Sequence, residues 1–160
     1  MRLYLFSFLL LLIFPACKEQ HLIQGEVVNV ADGDTFTLID SNKQRVKVRM
    51  YGIDAPERGQ GYSNASKKYL SSLLMHKRVT VQIMDVDQYR RVVGLVMLGE
   101  VNVNEAVLSN GFAWHYTAFD NNPNWTTLEK KARIAKKGLW AERNPQPPWR
   151  FRRDRRAVPK

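Results

Sequence analysis

Gln44-Arg45-Val46-Lys47-Val48-Arg49-Met50 alternates apolar and basic residues and runs into Tyr51-Gly52-Ile53-Asp54-Ala55-Pro56-Glu57. Alternation has the period of a pleated strand, so Val46, Val48 and Met50 face a core while Arg45, Lys47 and Arg49 face outward or into a cleft. Upstream, Gly25 to Val30 and Thr35 to Asp40 read as a hairpin closed by Ala31-Asp32-Gly33-Asp34, where Gly and Asp suit a positive φ. Ser41-Asn42-Lys43 is a second turn. Downstream, Arg78 to Met84 alternates through Val79, Val81 and Ile83, and the largely apolar Val92 to Leu98 predicts a strand buried on both sides.

Three helices fit around these strands. Ser63 to Met75 places Ala65, Tyr69, Leu70, Leu73 and Leu74 on one side. Asn104 to Asn110 is short, with Asn102 as cap and Gly111 as stop. Trp125, Leu128, Ala132, Ala135 and Leu139 follow helical spacing, with a capping box from Thr126 and Glu129 and a stop at Gly138. The expected class is α+β, mainly β: a five-stranded OB-type barrel with three helices. Pro145, Pro147 and Pro148 predict extended chain from Asn144, followed by the basic run Arg150, Arg152, Arg153, Arg155 and Arg156.

A length of 160 residues suits one domain, and 44% hydrophobic residues suffice for a core. The formal charge of +10 favours polyanionic partners, nucleic acid or anionic lipid, although basic exported proteins are common. Residues 1–16 read as a secretory signal: Arg2, then an apolar run from Leu3 to Phe14 too short to span a bilayer comfortably. Phe14-Pro15-Ala16 before the single cysteine, Cys17, resembles a lipoprotein processing site, where the thiol would carry lipid. Cleavage to a soluble product and retention as an uncleaved anchor are the alternatives. One cysteine excludes an intramolecular disulfide. The expected division is residues 1–16 signal, 17–22 tether, 23–143 globular domain and 144–160 basic tail. The expected location is outside the cytoplasm, at the cell envelope by lipid anchor or as a periplasmic or secreted monomer.

Asp34, Asp54 and Glu57 offer hard oxygen ligands, and Arg49 and Arg91 offer planar guanidinium forks. Separately these pieces are ordinary turn chemistry and solvated loop charge. Tyr89 and Tyr116 are candidates for stacking on sugar, phosphate or base. His76 and His115 lack the close partners of a zinc site, and Trp114, Trp125 and Trp140 read as packing residues.

In their order and spacing, Val30-Ala31-Asp32-Gly33-Asp34-Thr35, Val48 through Glu57, and Asp87-Gln88-Tyr89-Arg90-Arg91 resemble the thermonuclease, or staphylococcal nuclease-like, family. So do Val103-Asn104-Glu105-Ala106, Gly111-Phe112-Ala113-Trp114 and Lys137-Gly138-Leu139-Trp140. The resemblance covers about residues 23–143. It implies one Ca²⁺ held by Asp34, Asp54 and the Ala55 carbonyl. It implies Arg49, Glu57 and Arg91 as catalytic residues, acting on DNA and/or RNA and leaving 3′-phosphate ends. Ala55 stands where threonine is often found, and Arg90 where many members have glycine. An arginine there predicts that the local backbone need not adopt positive φ. The competing function is a non-catalytic nucleic-acid-binding OB module at the envelope; the retained carboxylates and arginines argue against it.

Overall fold

A computed structural model describes residues 21–157. The strands are β1 (Leu22–Val30), β2 (Thr35–Asp40), β3 (Arg45–Met50), β4 (Ile53–Asp54), β5 (Arg78–Val86), β6 (Val92–Leu98), β7 (Val101–Asn102) and β8 (Trp114–His115). The large sheet runs β3-β2-β1-β5-β6-β7, and β3 also pairs with β6, closing five strands into a barrel. That closing pair is parallel; the other ladders are antiparallel. Closure removes the exposed edges that an open sheet would leave. The expected class, a mainly β barrel of OB type with helices, is what forms.

Alternation places Val27, Phe36, Leu38, Val48, Met50, Val79, Val81 and Val96 inside, each at most 1% exposed. Helix α1 (Ser63–Leu74) adds Leu70 and Leu74 to that core. Each such side chain contributes about 1.5–3 kcal/mol on full burial. Two strand readings change. β5 continues to Val86 because a bulge between Ile83 and Asp85 breaks the period-two pattern. In β6 only Gly94 and Val96 are buried; the other residues are half-buried because α2 covers the outer face only in part.

Helix α2 (Val103–Ser109) is capped by Asn102, whose side chain accepts from Glu105 N–H at 3.2 Å. Buried Asn104 joins α2 to the barrel, accepting from Val96 N–H at 3.0 Å and donating to Tyr51 C=O at 2.8 Å. Helix α3 spans Pro123–Ile134, and its cap is Asn122 rather than the Thr126–Glu129 box. Glu129 instead accepts the His115 N–H at 3.1 Å. Gly138 lies beyond the end of α3 and opens a 3-10 turn, Gly138–Ala141, that carries Leu139.

The number of helices also changes. A fourth α-helix, α4, occupies Pro148–Ala157, where the end of the proline segment and a basic tail without a helix were expected. Proline is disfavoured inside a helix but is pre-shaped for its first position, and Pro148 stands there. The signal segment and Cys17 lie outside the described residues. Among the described residues no helix is long and apolar enough to cross a membrane.

Candidate active site

Two buried carboxylates stand at the centre of the site. Asp34 comes from the β1–β2 turn and Asp54 from β4, and they are 5% and 1% exposed. The turn is set by close packing: a Cβ on Gly33 would lie 2.6 Å from Ser66 Cβ and 2.7 Å from Ala55 Cβ. Gly33 is not among the positive-φ glycines, so proximity and not handedness requires it. Asp34 Oδ2 accepts the Ala55 N–H at 2.6 Å, and Oδ1 accepts the Thr35 hydroxyl at 3.0 Å. Asp54 is fixed by the β4–β8 ladder, opposite Trp114.

Arg49, last but one in β3, reaches both acids. Its Nη1 lies 2.8 Å from Asp34 Oδ2, and its Nη2 2.9 Å from Asp54 Oδ1. Burial still dominates. Desolvation pushes Asp34 up to about 7 against the pull of Arg49, with Asp32 and Asp54 adding to the rise. Asp54 is raised by the same desolvation, opposed by Arg152 and Arg49.

Glu57 follows Pro56 and is half-buried; its backbone N–H donates to the Gln60 side chain at 3.0 Å. Its carboxylate is bound by Arg152 of α4, a residue the sequence reading placed in the basic tail. Arg152 Nη1 donates to Glu57 Oε1 at 2.6 Å and Asp54 Oδ1 at 3.1 Å, and Nη2 donates to Asp54 Oδ2 at 2.9 Å. Its own pKa is raised: desolvation lowers it but is outweighed by hydrogen bonds to Asp54 and Glu57. The legible signal was Pro148 as a helix start, which sets Trp149 and Arg152 one turn apart on the same side.

Arg91 sits in the turn before β6. Parallel pairing of Arg49 with Val93 puts Arg91, two residues earlier, on the side of the sheet that Arg49 occupies. Its partner is Asp87, reached by Nε and Nη2 at 2.7 Å each. Desolvation tends to raise Asp87, but the Arg91 hydrogen bonds outweigh it and leave the carboxyl below its usual range. Arg90 is exposed, and its φ is 62°, so the expectation of an ordinary backbone there is corrected. Left-handed φ costs a non-glycine residue roughly 1–2 kcal/mol. Asp87 offsets this by accepting the N–H of Tyr89 at 2.9 Å and of Arg91 at 3.0 Å. Of the tandem pair, the half-buried Arg91 is the one turned toward the protein.

The tyrosines differ. Tyr89 is 69% exposed, with Arg91 Cζ 5.6 Å from its ring centroid. Tyr116 is half-buried and stacks on Trp149 of α4 at 5.2 Å and 9°. Trp149 also meets Trp114 edge-on at 5.7 Å.

Among the described residues no three His, Cys, Asp or Glu side chains gather as a closed metal cage. The donors present fit a more open site. Asp34 and Asp54 are all-oxygen, buried and raised by desolvation, so a hard cation completing its shell with water would relieve their charge.

The sequence model of the family described as "Staphylococcal nuclease homologue" matches residues 47–142, more than half of the chain. The chain belongs to that family. An Escherichia coli protein named "Uncharacterized endonuclease" is 38% identical over 154 residues, 95% of this chain and 98% of that protein. A Haemophilus influenzae protein of the same name is 36% identical over 148 residues, 90% of this chain and 82% of that one. The rice "Probable staphylococcal-like nuclease CAN1" is 42% identical over 113 residues, 71% of this chain and 34% of that protein. Membership of the staphylococcal nuclease homologue family makes the chain a nuclease, a hydrolase with nucleic acid as substrate. The family match includes Arg49, Asp54, Glu57 and Arg91 and ends before α4.

Proposed function

We propose that this nuclease is a Ca²⁺-dependent endonuclease that hydrolyses DNA and/or RNA by in-line water attack, leaving 3′-phosphate and 5′-hydroxyl ends. The observation that carries this reading is the convergence of Asp34 and Asp54 on Arg49, with Glu57 joined to Asp54 through Arg152. Asp34, Asp54 and the Ala55 carbonyl would hold the cation, which when bound supplies positive charge beside the scissile phosphate. Glu57 orients the attacking water and accepts its proton. Arg49 and Arg91 bind the non-bridging phosphate oxygens, whose charge grows in the pentacovalent transition state, and so favour that state over the ground state. A guanidinium suits this role because it gives paired hydrogen bonds and keeps its charge. Tyr89, exposed beside Arg91, provides a ring on which a nucleotide can stack without sequence preference.

Single-stranded DNA incubated with Ca²⁺, with chelator, and with Glu57→Ala tests the reading. Digestion is expected only with Ca²⁺ and the native glutamate, and end-labelling by a kinase should succeed directly on the 5′ ends. Undiminished digestion in chelator rejects the Ca²⁺ mechanism. From the sequence we also propose an exported monomer, held at the cell envelope by lipid on Cys17 or released as a soluble protein. Cys17→Ser should release it from membranes; unchanged membrane association rejects the anchor.

A further inference from the structure

The arginine-rich helix α4 is seated by buried Pro148 and by Trp149 packed on the Trp114 cluster, and two of its attachments fall on the site. Arg152 spans Asp54 and Glu57 with three hydrogen bonds of 2.6–3.1 Å. Trp149 covers the ring of Tyr116 in parallel stacking. The other arginines of the helix, Arg150, Arg153, Arg155 and Arg156, are exposed. Beside the helix a pocket of about 210 Å³, lined by Pro56, Gln60, Trp114, Gln146 and Phe151, opens to solvent. Beside that apolar seating, three polar contacts to Asp54 and Glu57 tie the position of α4 to the state of the site.

We propose that α4 is an autoinhibitory strap in which Arg152 and a divalent cation compete for Asp54. With Arg152 in place, Asp54 Oδ2 accepts from Nη2, and Oδ1 is shared between Arg49 and Arg152. Both oxygens of Asp54 are then engaged by guanidinium groups, and Glu57 Oε1 accepts from the same Arg152. Strap closure and cation binding therefore exclude one another. By linkage, whatever loosens α4 tightens cation binding, and the cation loosens α4 to the same degree. The inference rests on Asp54 being a cation ligand, as in the proposed nuclease mechanism.

Isothermal titration of the full chain with Ca²⁺ provides the test. Arg152→Gln should tighten binding at least about fivefold, the lower end of ordinary coupling between sites. Trp149→Ala, which loosens the strap without altering any carboxylate or arginine, should tighten it in the same direction. Arg153→Gln removes the same charge from the same helix, but among the described residues Arg153 pairs only with Asp154, so its affinity should match the parent. Hydrogen exchange gives an independent readout: Ca²⁺ should speed exchange of the α4 amides in the parent chain and leave those of the barrel protected. Parent-like affinity in both Arg152→Gln and Trp149→Ala overturns the strap while leaving the Ca²⁺ reading intact. Equal tightening by Arg153→Gln also overturns it, reducing the effect to bulk charge. Absence of Ca²⁺ binding from the parent and every variant overturns both the strap and the Ca²⁺ mechanism.

Discussion

Asp54 is held by two arginines of opposite standing. Arg49 belongs to β3, a strand bonded on both sides within the closed barrel, and its side chain is 15% exposed. Arg152 belongs to α4, outside the barrel, and its side chain is 33% exposed. The hydrogen-bond distances to Asp54 are nearly the same, 2.9 Å from each. The surroundings differ. Removing one partner from a buried pair leaves an uncompensated charge, whereas a partly exposed pair is screened by water. Contact geometry alone therefore does not tell a fixed part of a site from a detachable one; the mechanical support of each side chain does.

The sharpest way to separate the two regions is to alter the groups they share. Glu57→Gln, which removes the proposed proton acceptor bound by Arg152, is expected to lower kcat by about 10²–10⁴-fold with little change in fold. Steady-state cleavage and circular dichroism check this. Arg49→Ala should lower kcat by about 10²–10³-fold and destabilise the protein by about 3 kcal/mol in urea unfolding, since it strips two buried carboxylates of their shared cation. Loss of activity without loss of stability would show that Arg49 is no more structural than Arg152.

Asp34 provides a pH test. Its folded pKa, about 7, lies above the ordinary 3.8, so the folded chain binds this proton more tightly than the unfolded chain. Its contribution to stability is fully present below about pH 4 and is lost as pH rises toward 7. In chelator, Asp34→Asn should match the parent near pH 4 and exceed it in Tm near pH 8; a constant difference across that range refutes the assignment. The smallest effect belongs to the periphery. Arg152→Gln should change unfolding stability by less than about 1 kcal/mol, against the larger loss in Arg49→Ala.

Much of the barrel was legible from period alone. Thr35–Asp40 and Val92–Leu98 have the predicted bounds, because turn residues flank a clear apolar pattern. β5 was read short because the bulge at Ile83–Asp85 disturbs the alternation on which the reading depends. The third helix was read long, since Ala135 and Leu139 keep helical spacing although Lys136 and Gly138, both at positive φ, end the helix. Arg90 shows the limit of residue preference. A left-handed residue need not be glycine when a neighbour such as Asp87 supplies compensating hydrogen bonds. Within the site, Asp34, Arg49, Asp54 and Glu57 were visible as chemistry-bearing residues in fixed order. Arg152 was not, because a basic run has the same composition whether it is solvated or folded onto a carboxylate.

Local order of residues was enough to point to the barrel and the family and to single out Asp34, Arg49, Asp54, Glu57 and Arg91 as candidates for its site. Alternation and turn chemistry act over a few residues, and a few residues suffice to read them. Three-dimensional packing settled which cation faces which carboxylate. It brought Asp34 and Asp54 within reach of one guanidinium and folded Arg152 onto Asp54 from a separation of 98 residues. Contacts of that range depend on how helices and strands dock, and spacing along the chain does not encode them.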